Sequence, residues 1–220
     1  GCLWIIRRPW LGSALLAAGT WIKVWPAALL AAAVVAVRRR LAIVGGALIV
    51  SAATIAVVLA LGGGRYLFGF ITDQTGRGLQ IEAPVSAPYM WFAALDVLDS
   101  RVYYASDLLT FQVSGPGVNE VIAVMTPLLA ASVLALLLLG LWGVRRGAPV
   151  VRLYPALAFA LVLALIVVNK VGSPQYMTWI VAPIVFGLVI DRATWLRPAA
   201  FAVATGLLTQ IVYPIFYNFL

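Results

Sequence analysis

From residue 41 to residue 61 the chain carries no charged side chain. As a helix, a run of that length covers the roughly 30 Å hydrocarbon core of a bilayer. Without water every backbone N–H and C=O must be satisfied internally, so the options reduce to spanning helices or a closed barrel. Comparable runs occur at 121–143, 153–169, 177–190 and 199–220. The fourth is short and needs Ser173 or Thr178 near its outer boundary. With 64% hydrophobic and 10% charged residues and a mean hydropathy of +1.06, the chain reads as an all-α polytopic membrane protein.

The net charge of +8 does not point to nucleic acid, because the arginines flank apolar runs. Arg7, Arg8, Arg38, Arg39, Arg40, Arg145, Arg146, Arg152, Arg192 and Arg197 form the positive-inside signature of cytoplasmic loops. Placing those clusters inside puts 62–120, the 169–176 turn and the C-terminus outside, in a multi-pass plasma-membrane topology. Six of the seven acids (Asp73, Glu82, Asp96, Asp99, Asp107 and Glu120) then fall on the outer side. The stretch 11–37 has arginines before and after it, and Lys23 and Pro26 interrupt its middle. A re-entrant pair of half-helices fits both facts, with a single long tilted helix as the alternative.

The outer segment 62–120 is too long for a plain connector. Trp91, Leu95, Leu98 and Val102 recur at 4-3-4 spacing, the stripe of an amphipathic helix lying on the membrane. Tyr89, Trp91, Phe92, Tyr103 and Tyr104 suit an interfacial belt, as do Tyr213, Pro214 and Tyr217 at the other end of the chain.

Residues 73–82 form a polar island beside apolar runs: Asp73-Gln74-Thr75-Gly76-Arg77-Gly78-Leu79-Gln80-Ile81-Glu82. Polar groups at a membrane boundary are costly unless something satisfies them, which favours a binding site over the plainer alternative, an outer loop with a glycine turn and a solvated charge pair. Arg77 offers a flat, permanently charged fork to a phosphate, between glycines that allow close approach. Gln74 and Gln80 suit sugar hydroxyls, and Glu82 suits orienting Arg77 or a hydroxyl. Asp73 is a weaker candidate on the same segment.

A second constellation, Asn169-Lys170-Val171-Gly172-Ser173-Pro174-Gln175-Tyr176, falls on the same outer face. Lys170 beside the N–H groups of a helix start makes an anion site, with Ser173, Gln175 and Tyr176 as polar neighbours. A lysine that merely snorkels to the interface is the plainer alternative. Lys23, at the tip of a re-entrant pair, is a weaker phosphate or head-group contact. Asp96 and Asp99, three apart, would share a helix face, as a cation pair or simply as its wet side. Gly62-Gly63-Gly64-Arg65 lacks the strand and the Lys-Ser/Thr of a nucleotide loop. With Cys2 as the only cysteine and no histidine, neither a metal site nor a cofactor is expected.

Arg77-Gly78-Leu79-Gln80-Ile81-Glu82, followed by Lys170-Val171-Gly172-Ser173-Pro174-Gln175-Tyr176 with Trp179 and Pro183, resembles the polyprenyl-phosphate-mannose-dependent α-mannosyltransferases of glycosyltransferase family 87. The stretch Ile22-Lys23-Val24-Trp25-Pro26 is similar to that family as well. The resemblance implies a GT-C fold with an extracytoplasmic active site, a polyprenyl-phosphate-mannose donor, a glycolipid or glycan acceptor and inversion at the anomeric carbon. Actinobacterial members of the family build phosphatidylinositol mannosides, lipomannan and related envelope glycans, and the alanine, valine and arginine bias suits such a host. The family's aspartate base lies in a first outer loop that this sequence does not contain. The chain begins at Gly1 and is read as the C-terminal part of a longer protein. Many relatives carry a histidine shortly before Arg-Gly-Leu-Gln; here Gln74 stands there, and it cannot act as a base at neutral pH. A transporter or lipid flippase is the main rival, since such proteins also use broken helices. A non-catalytic membrane subunit is the third reading. The spans at 41–61, 121–143 and 153–169 hold few polar groups, which favours an interfacial enzyme.

Overall fold

The structure, a computed structural model, describes residues 2–67, 69 and 76–216. Asp73, Gln74 and Tyr217 lie outside the described residues.

The chain opens with α1 (Cys2–Arg7), α2 (Pro9–Ile22) and α3 (Pro26–Ala36), followed by α4 (Arg40–Ala60). A proline at the first position of α3 and the extended backbone of Lys23 separate α2 from α3. The contacts then set directions. Trp10 and Ser13 press against Gly46, and the Trp21 indole N–H donates to Ser51 Oγ at 3.0 Å. Thus α2 and α4 rise side by side, and α3 must return between them. Arg8 and Arg38 therefore share one end of the bundle. At about 1.5 Å per residue, α2 rises roughly 21 Å and α3 roughly 16 Å, each short of a bilayer core.

Among the described residues four helices are long and apolar enough to cross a membrane: α4, α6 (Val118–Arg145), α7 (Val150–Val167) and Arg192–Tyr213. The last combines α9 (Arg192–Gln210) with a continuation, Ile211–Phe216, that is kinked by the extended backbone of Tyr213. By length and composition this is a mostly helical membrane protein; the expected all-α fold is interrupted by a short hairpin at 101–114. The helix α7 is its axis, with 44% of its span buried against 6–11% for the other three. Around it pack α3 and α8 (Val181–Ile190), with Tyr154 meeting Phe186 edge-on at 5.5 Å and Phe159 meeting Trp195 at 5.6 Å.

The expected span at 177–190 is shorter than a bilayer core. A tight turn at Pro174–Thr178 leads into α8, which has only 10 residues and rises roughly 15 Å. One face is enclosed in the core through Pro183, Ile184, Phe186 and Gly187, while Val181, Val185 and Val189 stay exposed on the other. A short apolar run is compatible with a buried core helix as readily as with a span.

Residues 87–114 also depart from expectation. The interfacial stripe from Trp91 to Val102 is not one helix: α5 spans Ala87–Ala94 and stops. The backbone turns left-handed at Asp96, Leu98 and Asp99 (φ 53, 56 and 46) and then enters a hairpin of β1 (Arg101–Ala105) and β2 (Thr110–Ser114). Val102 faces Val113 in this hairpin and joins the small core of Leu79, Ile81, Ala83, Val113 and Val118. Asp96 and Asp99 accordingly share no helix face; Asp99 pairs with Arg101 at 3.0 Å on the surface. β-Branched and aromatic side chains at Val102, Tyr103, Tyr104, Phe111 and Val113 fit a pleated, half-buried surface better than a helix.

Candidate functional site

The two polar motifs, ninety residues apart, are woven into one sheet edge. Residues 79–81 run extended beside β2: Val113 N–H donates to Leu79 C=O at 3.0 Å and Ile81 N–H to Phe111 C=O at 3.3 Å. Leu79 and Ile81 turn into the small core, so Gln80 points the other way. On its free edge the same segment takes up the second motif. Gln80 N–H donates to Lys170 C=O at 3.1 Å, and Gly172 N–H donates to Gln80 Oε1 at 3.1 Å. Gln80 Nε2 reaches Thr110 Oγ1 at 3.5 Å.

Gln80 is 1% exposed, and both ends of its amide are engaged within the chain. Its amide bridges the two motifs, so the side chain expected to meet hydroxyls is turned to its own chain rather than to the cavity. Gln112, which the sequence reading overlooked, is its cross-strand partner: it is buried beside Gly78, and its Oε1 accepts from the Tyr103 hydroxyl at 3.3 Å. Asn169 ties the second motif to α7, with Oδ1 accepting from Val171 N–H at 3.1 Å and Nδ2 donating to Leu165 C=O at 3.3 Å.

A cavity of about 410 Å³ opens where these motifs meet the far end of α9. Glu82, Gly172, Ser173 and Tyr176 line one part of it, and Thr209 and Tyr213 another. The remaining wall is apolar, with Ile81, Met90, Ile166, Met177, Leu208 and Val212 among its residues. Tyr213 thus belongs to the cavity as well as to the boundary region. Gln175 is exposed on the turn, outside this lining.

Burial raises the pKa of the Tyr176 phenol above its usual 10; the Arg77 guanidinium opposes that shift and Glu82 reinforces it. Arg77 and Glu82 are therefore both within electrostatic reach of Tyr176. Arg77 Nε is buried and, among the described residues, has no hydrogen-bond partner. The Tyr176 ring lies 3.9 Å from that of Trp179, which stacks in turn on Trp25 at 6.2 Å and 14°. This aromatic column links Tyr176 in the cavity wall to Trp25 at the α2–α3 break, where Lys23 is exposed. Trp25 stood in a sequence motif but was not singled out, and only its stacking on Trp179 reveals a role.

Lys170 is 6% exposed, and desolvation holds its pKa below the usual 10.5. Between the lowered value and 10.5 the unfolded chain binds more protons than the folded one, so stability rises with pH across that window. Thermal unfolding in detergent, followed from neutral pH toward 10.5, should show this rise, and Lys170→Met should flatten it. Equal slopes for the two proteins would mean that the ammonium stays hydrated.

Among the described residues no group of three or more potential metal ligands comes together. The chain matches no protein-family model, no curated protein and no solved structure.

Proposed function

We infer that the protein is a membrane glycosyltransferase that moves a mannosyl or related hexosyl unit from a polyprenyl-phosphate donor to an envelope glycolipid or glycan acceptor. The observation that carries this reading is the cavity itself. One part presents Glu82, Ser173 and Tyr176, with Arg77 in electrostatic reach, and the rest is an apolar wall at the end of a membrane-length helix. A lipid phosphate has the same two-part chemistry. Breaking a sugar–phosphate bond leaves negative charge on the phosphate, and preorganised cations nearby stabilise it. In this reading Arg77 and Lys170 hold the phosphate, and Ser173 and Tyr176 contact donor oxygens. Gln80 keeps the two motifs in register, and Lys23 stands at the rim. The GT-C-like arrangement, the extracytoplasmic placement of the site and its plasma-membrane home belong to the same proposal. A buried Arg77 Nε with no partner among the described residues favours an anion guest over a site that is only structural.

The test uses the full protein in membranes with labelled polyprenyl-phosphate mannose of long and short chain. Val212→Trp fills the apolar part of the cavity and should raise KM for the long-chain donor roughly tenfold, equivalent to about 1.4 kcal/mol of lost contact. The short-chain donor should be much less affected. An equal effect on both, or none, would remove the cavity as the site of the lipid chain. Absence of any transfer by the wild-type protein from such donors would remove the enzyme reading.

A further inference from the structure

We propose that α5 and the turn after it form an interfacial anchor, inserted into the leaflet at the site end of the bundle. Trp91 on α5 and Leu95, which caps its C-terminal end, lie one turn apart, and Leu98 follows at the left-handed turn; they are 68%, 66% and 58% exposed. Leucine is a poor choice for a left-handed backbone position, which glycine, asparagine or aspartate tolerates at lower cost. Displaying a leucine there, exposed to water, is unfavourable twice over. Contact with lipid removes the second penalty.

The depth of α5 is set by its neighbours. Met90, the residue before Trp91, shares the cavity wall with Leu208 and Val212, which lie in the last turns of the membrane-length helix Arg192–Tyr213. The helix α5 is therefore level with the end of a span, where tryptophan sits most favourably. A helix anchored in this way buries its apolar side about 5–10 Å into the head-group boundary. The Asp99–Arg101 ion pair beside Leu98, exposed on both sides, supplies the charged rim that meets the head groups. The proposal concerns only where this surface sits, so it holds or fails whatever chemistry the cavity performs.

The experiment places a nitroxide on single cysteines in the full protein, in a background free of other cysteines, reconstituted into phosphatidylethanolamine/phosphatidylglycerol vesicles. The labelled variants are Trp91→Cys, Leu95→Cys and Leu98→Cys, with Asp107→Cys in the exposed hairpin turn as the aqueous reference. Collisions with membrane-dissolved oxygen should dominate at the first three positions by several-fold. Collisions with a water-soluble nickel chelate should dominate at the reference. Nickel-dominated relaxation at all four positions would overturn the proposal, and so would shielding from both reagents, which signals a protein partner. A label-free measurement guards against misfolded variants: brominated lipid should quench a component of tryptophan emission that Trp91→Phe removes. If the quenched fraction is unchanged in that variant, the anchor is not in the bilayer.

Discussion

Replacing Arg77 by alanine should reduce sugar transfer by roughly 10²–10³-fold, the usual loss when one preorganised group facing a developing charge is removed. The guanidinium and Glu82, the only carboxylate among the described residues lining the cavity, both lie within electrostatic reach of Tyr176. None of the hydrogen bonds that hold residues 79–81 between β2 and the 170–172 turn uses the Arg77 side chain. The variant should therefore fold, melt near the wild-type temperature and fail in turnover. Arg77→Lys should recover part of the rate, since a lysine restores the charge without the planar fork. Near-normal turnover by Arg77→Ala would show that the phosphate is held elsewhere.

The second large effect is structural. A Cβ added at Gly172 would overlap the backbone of Glu82 and Ala83. Neither strand can yield, because Gly172 N–H is bound to Gln80 Oε1 and Gln80 N–H to Lys170 C=O. Gly172→Val should therefore pry the two motifs apart, costing about 1–3 kcal/mol or more from overpacking and abolishing transfer with it. Gly78 provides the contrast. Its added Cβ would meet the Gln112 amide, the far end of a side chain that can rotate away. Gly78→Ala should be much milder in both melting temperature and turnover. Equal damage at the two glycines would mean that the sheet edge, rather than the close approach of backbone to backbone, is the sensitive element.

Much of the membrane part is legible in the sequence. The stretches 41–61, 121–143 and 153–169 need only length and hydropathy to be read, because lipid leaves the backbone no other option. Length at 177–190 is less legible: hydropathy measures removal from water, and a protein core removes water from Ile184 and Phe186 as thoroughly as a bilayer does. The hairpin at 101–114 was legible too, in two β-rich runs separated by Ser106-Asp107-Leu108-Leu109. The 4-3-4 spacing from Trp91 to Val102 obscured it, since that stripe ignores the left-handed backbone at Leu98. Gln112 and the Trp25–Trp179 stack had no comparable local signal. Each acquires its role from a partner far along the chain.

Composition, the apolar runs and the flanking arginines determined that this chain is a helical membrane protein with polar motifs at its boundaries, because those properties depend on solvent and operate residue by residue. That Arg77 comes within electrostatic reach of Tyr176, that Gln80 joins the motifs rather than facing the cavity, and that Leu208 and Val212 close one side of that cavity were decided only by tertiary structure. Hydrogen bonds such as that from Gly172 to Gln80 form between groups ninety-two positions apart, and nothing in the local sequence records which partner a buried amide will find.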